Sequence, residues 1–259
     1  MTPSPGAGAW ALDLDGVIWR GPQTVAGAPE AVAELRAAGA DVAFVTNSSA
    51  RTPAQVAEKL AAHGIPDAER EVVTSAMAAA AMIEPGERVL AVGGDGVVAA
   101  LTERGAEIVD VRAGIVDVDA VVVGIRPDFD YEMLTAAMQG LHGGARLVAT
   151  NDDPTFPDAH GLLPGNGALV AAVAAAGGVA PRFAGKPHDP IAGFVRDLLG
   201  TQGIMVGDRP DTDGRFAGAL GYRFGLVLSG VTGAGDLPVD PAPDVVAPDL
   251  LGLVDAALS

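Results

Sequence analysis

The sequence predicts an α/β fold built on parallel β-sheet. Short apolar runs rich in β-branched residues alternate along the chain with alanine-rich stretches of helical length. This alternation is typical of parallel strands joined by helical crossovers. Pro53 begins one predicted helix and Gly64 ends it, while Pro190 begins another and Gly200 ends it,. Polar motifs follow the apolar runs, as expected for a sheet whose carboxyl edge carries a site.

The first apolar run ends in two carboxylates. Asp13 and Asp15 are separated by a single residue, and Gly16 follows them directly. In an extended chain this spacing points both side chains to the same side, and the glycine permits a sharp turn. Both acids are then expected at the carboxyl edge of the sheet, although an Asx turn without chemical function has the same composition.

Two further polar segments also follow predicted strands. The segment Thr46-Asn47-Ser48 offers hydroxyls, a carboxamide and turn amides, which are neutral donors suited to phosphate oxygens,. Asp208 also follows a predicted strand, which places its carboxylate at the edge of the sheet, and Asp213 follows five residues later. Each segment alone is compatible with a polar turn or a helix cap.

Lysine usage singles out one position. The chain holds only two lysines, Lys59 and Lys186, against fourteen arginines. Lys186 stands between Gly185 and Pro187, which predicts a tight loop, and a compact ammonium there suits carboxylates gathered around a phosphoryl group. Lys59 lies in the predicted helix over residues 54–62 and is expected to be a solvated surface charge.

The net charge limits the classes of partner. At −17, the chain would repel nucleic acid and anionic membranes, so neither is an expected partner. It would also repel phosphate esters. A phosphate site therefore has to be locally positive, which requires a divalent cation together with Lys186 and helix N-termini.

Three features of the sequence bear on its cellular compartment. The chain has no cysteine, which is compatible with a reducing cytosol. Its first residues lack the basic and apolar regions of a secretory signal. The longest weakly polar run, residues 167–180, falls short of the roughly 20 residues that cross a bilayer. We therefore expect a cytoplasmic protein.

The spacing of the motifs predicts two domains. Thr46 and Lys186 are 140 positions apart, far more than one crossover connection needs. The excess has its own predicted strands at residues 88–92, 107–111, 119–124 and 146–149. We therefore predict a discontinuous core domain from residues 1–78 and 183–259 and an inserted α/β domain over residues 79–182.

In this order, the motifs resemble those of the haloacid dehalogenase superfamily and are most similar to its class IIA phosphatases, the NagD and p-nitrophenyl phosphatase-like group. The resemblance spans nearly the whole chain. It rests on Asp13-Leu-Asp15-Gly16-Val17, Thr46-Asn47-Ser48-Ser49, Gly185-Lys186-Pro187 and the segment Gly207-Asp208-Arg209-Pro-Asp-Thr212-Asp213. It implies a Rossmann-like core with a parallel sheet and a C2-type cap as the inserted domain.

The resemblance also implies a reaction. A Mg2+-dependent phosphatase of this group hydrolyses a phosphate monoester of a small metabolite through an aspartyl phosphate. Asp13 would be the nucleophile and Asp15 the general acid and base. The Mg2+ ligands would be the carboxylates of Asp13 and Asp208 and the main-chain carbonyl of Asp15, with Asp213 orienting this shell from outside.

Other residues receive binding roles from the same resemblance. Thr46, Asn47 and Ser48 would hold the phosphoryl oxygens, and Lys186 would offset the negative charge of the transition state. In the long polar loop over residues 151–167, Phe156 is the residue assigned to substrate choice, with anchoring of the loop as an equal alternative. Relatives often pair through the cap, so a homodimer through this domain is an expectation. The identity of the substrate is left open.

Three alternatives accompany these expectations. The turn Gly94-Asp95-Gly96 between a predicted strand and helix loosely matches a dinucleotide-binding fingerprint, which would indicate a nucleotide-binding oxidoreductase. The chain could instead be a catalytically silent regulator that binds a phosphorylated ligand. Finally, Trp19 and Arg20, in the flap after Asp15, either contact substrate or merely cover the sheet.

Overall fold

The chain folds into two units in the computed structural model, which describes residues 8–112, 117–158 and 161–258. The first unit is drawn from Met1–Thr46, Pro53–Val73 and Lys186–Ser259. The second is drawn from Asn47–Thr52 and Thr74–Gly185. Each unit therefore consists of segments that are distant in sequence.

The strands are β1 (Ala9–Leu12), β2 (Trp19–Arg20), β3 (Gln23–Thr24), β4 (Asp41–Thr46), β5 (Val72–Thr74), β6 (Arg88–Val92), β7 (Glu107–Val109), β8 (Ala120–Val123), β9 (Arg146–Ala149), β10 (Thr155–Asp158), β11 (Gly161–Pro164), β12 (Arg182–Phe183), β13 (Gly203–Gly207), β14 (Arg223–Val227) and β15 (Val245–Ala247). The helices are α1 (Ala28–Ala37), α2 (Pro53–Ala62), α3 (Ser75–Ala81), α4 (Asp95–Arg104), α5 (Tyr131–His142), α6 (Asn166–Gly177), α7 (Asp189–Leu199), α8 (Arg215–Leu220) and α9 (Leu250–Leu258). The predicted helices that begin near Pro53 and Pro190 correspond to α2 and α7.

The first unit is built around a six-stranded sheet in the order β15-β14-β13-β1-β4-β5. The central strand β1 runs parallel to both neighbours, and Leu12 pairs with Val206 of β13 and Phe44 of β4. All four residues of β1 are buried, as expected for a parallel strand covered on both faces. This register aligns the carboxyl ends of β1, β4 and β13 at one edge.

Helices complete the core of the first unit. α7 packs on β1 and β4 through a buried face that includes Ile191 and Val195, while α1 and α9 pack against each other. The largest buried side chains of this core include Phe44 and Leu12. A rigid, dry sheet thus supports the loops at its carboxyl edge.

The second unit has its own parallel sheet, in the order β12-β9-β8-β6-β7. The strands predicted at residues 88–92, 107–111, 119–124 and 146–149 correspond to β6, β7, β8 and β9. β10 and β11 form a separate antiparallel hairpin. The parallel α/β class predicted from the sequence is confirmed in both sheets.

The glycine-rich turn before α4 has a packing role. A Cβ atom on Gly96 would lie 2.4 Å from the main-chain oxygen of Arg51 and 2.6 Å from that of Ser49. Glycine is therefore needed here so that the segment over residues 49–51 can approach closely,. This packing explains the glycine without a cofactor, so the match to a dinucleotide-binding fingerprint does not by itself indicate nucleotide binding.

Across the part of the chain that the structure describes, no helix is long and apolar enough to cross a membrane.

Candidate active site

The carboxyl edge of the first unit's sheet gathers side chains from three separate segments. Asp13 directly follows β1 and continues its ladder, because its main-chain N–H donates to the Val206 carbonyl at 2.9 Å. Asp208 directly follows β13, and Lys186 precedes α7. Asp213 lies in a single π-helical turn, Pro210–Gly214, that follows Asp208.

Lys186 is the centre of this group. Its Nζ donates to Oδ1 of Asp13 at 2.8 Å and to Oδ1 of Asp213 at 2.7 Å. The side chains of Lys186 and Asp213 are 2% and 1% exposed, and that of Asp13 is 13% exposed. The ammonium is therefore nearly dry and bonded to two carboxylates, one of which still faces solvent.

Burial and the neighbouring charges shift the pKa values of Lys186 and Asp13 in opposite directions. Burial lowers the pKa of Lys186, but the Asp13 and Asp213 carboxylates outweigh it, so the pKa of the ammonium is raised and it stays charged,. Burial raises the pKa of Asp13, which the adjacent Lys186 partly counteracts. Burial likewise raises the pKa of Asp213 to about 6.

Asp208 is tightly enclosed by backbone. One oxygen, Oδ2, accepts a 2.5 Å hydrogen bond from the Val231 N–H. A Cβ atom on Gly16, whose φ is +90°, or on Gly230 would lie within 2.3 Å of that oxygen, so both positions require glycine. The other oxygen, Oδ1, is buried and has no hydrogen-bond partner among the described residues. Burial, followed by the nearby charges of Asp213 and Asp13, raises the pKa of Asp208 to about 8.

The three carboxylates form a cluster that suits a cation. Asp13, Asp208 and Asp213 each offer an oxygen, and these atoms all lie within 4.8 Å of one another. Lys186 offsets part of their charge at close range through its ion pairs with Asp13 and Asp213. Buried carboxylates of this density normally hold a metal ion or take up protons.

Asp15 lies at the same edge but in a different environment. It is exposed, and its Oδ1 accepts a 2.9 Å hydrogen bond from the indole Nε1–H of Trp19. Trp19 itself is 3% exposed, whereas Arg20 is exposed. The expectation that Lys59 is a purely solvated charge is wrong, because its Nζ lies 3.7 Å from the centroid of the Trp19 ring.

The Thr46-Asn47-Ser48 segment is divided between the two units. Thr46 ends β4 and is buried. Asn47 and Ser48 belong to the second unit, where the Asn47 Nδ2 donates to Oδ2 of Asp153 at 2.9 Å. The main-chain oxygen of Asn47 accepts hydrogen bonds from Nδ2 of Asn151 and from the hydroxyl of a serine in α3, at 2.7 and 2.6 Å. The Asn47 side chain is thus oriented by the loop that follows β9.

Phe156 lies in the β10–β11 hairpin of the second unit. It pairs with Leu163 across the hairpin and is 39% exposed. Leu162 on the second strand is 71% exposed. The hairpin therefore carries exposed apolar side chains.

Two parts of this arrangement are not indicated by the sequence motifs. The first is the loop after β14, where the N–H of Val231 binds Asp208 and the hydroxyl of Ser229 donates to the Gly16 carbonyl at 2.7 Å. The available signal was a Ser-Gly pair after an apolar run, but without an acid it carried no chemical indication. The second is the Trp19 hydrogen bond, which depends on how the flap folds back.

Comparisons with known proteins agree on one family. A family model described as haloacid dehalogenase-like hydrolase matches residues 10–107, and one described as HAD-hydrolase-like matches residues 183–253. An acid sugar phosphatase of Staphylococcus aureus is 40% identical over 211 residues, which cover 79% of this chain and 80% of the relative.

Solved structures support the same relationship. A glycerol phosphate phosphatase of Mycobacterium tuberculosis in complex with magnesium is 34% identical, with a TM-score of 0.87 over 96% of this chain and 78% of that one. A p-nitrophenyl phosphatase of Archaeoglobus fulgidus is 31% identical, with a TM-score of 0.88 over 96% of this chain and 98% of that one.

Proposed function

This chain belongs to the family of haloacid dehalogenase-like hydrolases, and from that premise we propose that it is a Mg2+-dependent phosphatase which hydrolyses small phosphate monoesters through an aspartyl phosphate on Asp13. The class IIA relationship predicted from the motifs is confirmed. The relatives' names and the family models support a phosphate-monoester hydrolase. The observation that carries the proposal is the cluster of Asp13 with the buried Lys186, Asp208 and Asp213 at the carboxyl edge of the first unit's sheet.

Asp13 is suited to attack phosphorus. A carboxylate needs no base to become a nucleophile once it is ionised. Lys186, 2.8 Å from Oδ1, favours the ionised form against the burial that raises the pKa of Asp13. Attack by a carboxylate oxygen would form the O–P bond of the aspartyl phosphate as the ester O–P bond breaks. Lys186, which is hydrogen-bonded to Asp13, would then offset the charge of the transferred phosphoryl group,.

The acidic cluster fits a divalent cation. Oδ1 of Asp208 is a buried oxygen without a partner in the described part of the chain, and the ligand oxygens of the cluster lie within 4.8 Å. Hard oxygen ligands of this kind are those that Mg2+ prefers. We assign the carboxylates of Asp13 and Asp208 and the main-chain carbonyl of Asp15 as its ligands, with Asp213 holding Lys186 in place. When bound, the ion would screen the charges of the nucleophile and the phosphate.

Asp15 is assigned the proton transfers. Its exposed carboxyl group can reach an ester in a way that the enclosed Asp208 cannot. Asp15 would protonate the departing alkoxide and then take a proton from the water that cleaves the aspartyl phosphate. These two steps return the nucleophile and the acid to their starting states.

We assign Thr46, Asn47 and Ser48 to the phosphoryl oxygens. Their hydroxyl and amide groups are neutral donors, and the hydrogen bond to Asp153 fixes the orientation of Asn47. We further propose that the first unit is the catalytic core and the second unit the C2-type cap. The net charge of −17 argues against nucleic acid or membrane partners, and the small phosphorylated metabolites that we propose as substrates have to bind where the site is locally positive,. A cytoplasmic location and a homodimer through the cap complete the proposal.

The direct test is hydrolysis of p-nitrophenyl phosphate and glycerol 3-phosphate with Mg2+ and with EDTA. We expect turnover that needs the metal and returns when Mg2+ is restored after EDTA. A silent phosphate-binding regulator would show saturable binding without turnover. Turnover that persists in EDTA would contradict the proposed site.

Substitution of Phe156 tests the assignment of the hairpin. We expect Phe156→Ala to raise KM for glycerol 3-phosphate by about tenfold with little change in kcat, the result of removing one apolar contact from bound substrate. Its 39% exposure predicts a small effect on the thermal midpoint. Leu162→Ala, in the same hairpin and 71% exposed, is the matched control and should leave KM unchanged. Equal effects of both variants would instead favour a role in anchoring the loop.

The protonation of Asp208 predicts a pH-dependent stability without metal. Its pKa is raised from 3.8 to about 8 by burial and by its acidic neighbours. At low pH both states hold this proton, but above about pH 4 the unfolded chain loses it while the folded state keeps it, so the free energy of unfolding falls progressively until the folded group ionises near pH 8,. In EDTA, the thermal midpoint should therefore fall as the pH rises from about 4 to about 8 and level off above that.

Asp208→Asn supplies the control for this expectation, because the amide cannot titrate. Its midpoint in EDTA should vary less between about pH 6 and pH 8, above the range where Asp213 with its pKa of about 6 contributes. Mg2+ should flatten the wild-type curve, since the cation binds the ionised carboxylates. Identical curves for wild type and variant in EDTA would show that Asp208 does not carry the raised pKa.

A further inference from the structure

The flap after Asp15 brings a buried aromatic side chain back to that carboxyl group. The main-chain N–H of Gly16 donates to the Trp19 carbonyl at 2.7 Å, and the N–H of Trp19 donates to the Leu14 carbonyl at 3.2 Å. Residue 19 is thereby returned to the side of residue 15, and the indole Nε1–H lies 2.9 Å from Oδ1 of Asp15. An exposed carboxyl group thus has a buried donor.

The Trp19 ring is in contact with two side chains from the end of α2 and the residue that follows it. The Lys59 Nζ lies 3.7 Å from its centroid, a cation–π contact,. The His63 ring lies 5.1 Å away at an interplanar angle of 31°. Burial and the nearby Lys59 lower the pKa of His63, so the imidazole is neutral at pH 7 and does not repel this lysine.

His63 also ties the flap hairpin to the same helix. Its Nδ1 is 2.7 Å from the hydroxyl of Thr24, which is the cross-strand partner of Trp19 in the β2–β3 hairpin. Trp19 is therefore fixed from its own strand, from the paired strand and from α2. A donor held this firmly selects one orientation for the acceptor, because rotation of the carboxyl group would leave a buried N–H unpaired.

We propose that Trp19 is a positioning residue for the general acid, fixing the carboxyl group of Asp15 through Oδ1 so that Oδ2 exchanges the proton with the ester oxygen. Lys59 and His63 act through Trp19 by immobilising its ring. The inference rests on the proposed function, in which Asp15 is the acid. The alternative is that Asp15 merely satisfies the indole of a core residue, with no consequence for the reaction.

The two roles differ in their dependence on the leaving group. p-Nitrophenolate is a weak base and departs with little help from an acid, whereas the alkoxide of glycerol needs a proton. The value of kcat/KM reports the steps up to departure of the alcohol. Loss of positioning should therefore lower kcat/KM for glycerol 3-phosphate selectively.

Trp19→Phe is the test variant, because it removes the N–H and keeps an aromatic ring. We expect kcat/KM to fall by about tenfold for glycerol 3-phosphate, part of the 10²–10⁴ that a general acid contributes, and by less than about twofold for p-nitrophenyl phosphate. Trp10→Phe is the matched control, since Trp10 is also 3% exposed and belongs to the same core. It should leave the ratio of the two esters unchanged.

Lys59→Met provides a second variant that does not disturb the buried core, because Lys59 is only half-buried. It should lower kcat/KM for glycerol 3-phosphate relative to p-nitrophenyl phosphate, as Trp19→Phe does, but by less. If Trp19→Phe is poorly folded, this variant tests the positioning role in its place. An unchanged ester ratio in the folded variant contradicts the positioning role. Absence of wild-type turnover with both esters would instead contradict the proposed function.

The hydrogen bond can be measured without catalysis. The chain has two tryptophans, so its two indole N–H resonances can be assigned with the two Trp→Phe variants. We expect Asp15→Ala to shift the Trp19 indole proton upfield and to leave that of Trp10 in place. An unshifted Trp19 resonance would overturn the inference whatever the kinetics show.

Discussion

Asp13→Asn is expected to abolish turnover, with a loss in kcat on the order of 10⁴-fold or more. The amide has nearly the same volume as the carboxyl group but lacks the carboxylate oxygen that forms the aspartyl phosphate. The replacement removes one of the three clustered carboxylates and leaves Lys186 its 2.7 Å bond to Asp213. The protein should therefore remain folded while it loses the reaction.

The control for this loss is Asp41→Asn. Asp41 begins β4, at the opposite end of the strand from Thr46, and is exposed. This variant should keep full activity. Single-turnover phosphorylation followed by mass spectrometry should show an adduct of one phosphoryl group on the wild type and none on Asp13→Asn. Substantial turnover by Asp13→Asn would exclude Asp13 as the nucleophile.

Lys186→Met is expected to impair both catalysis and stability. The variant leaves Asp13 and Asp213 without the ammonium that both contact. Loss of a group that offsets transition-state charge should lower kcat by about 10²–10³-fold. Breaking a buried ion pair should lower the free energy of unfolding by about 3 kcal/mol.

The stability loss in Lys186→Met should depend on pH and on Mg2+. In EDTA it should be larger at about pH 8 than at about pH 5, because protons can replace the missing positive charge at the lower pH. Mg2+ should restore part of it. The control is Arg223→Met, which removes an exposed cation at the start of β14. It should change the free energy of unfolding little, and that change should depend on neither pH nor Mg2+. Urea unfolding at the two pH values makes the comparison.

Several features of the fold could be predicted because they depend on local patterns. Apolar runs of strand length and the prolines and glycines at helix ends gave β1, β4 and β13 and the bounds of α2 and α7 closely. The positions of Asp13 and Asp208 directly after strands sufficed to predict that they share an edge. In a parallel sheet, the carboxyl ends of neighbouring strands lie side by side whatever the loops do.

The sequence could not predict contacts that depend on how loops return. Asn47 follows β4 in sequence, yet its side chain is bonded to Asp153, more than a hundred residues later. Gly96 matched a cofactor motif, but its lack of a side chain serves the approach of the segment over residues 49–51. Both relationships join residues that no periodicity connects.

The sequence by itself determined the class of fold and the family, and it singled out the acids and the lysine that we propose for the reaction, because strand ends and short motifs are local properties. Only the tertiary structure decided the environment of each group. It placed Lys186 between Asp13 and Asp213, buried Asp208 against Gly16 and Gly230, and brought Trp19 to Asp15. The chemical role of a carboxyl group depends on burial and on the charges around it, and these are set by packing between segments distant in sequence.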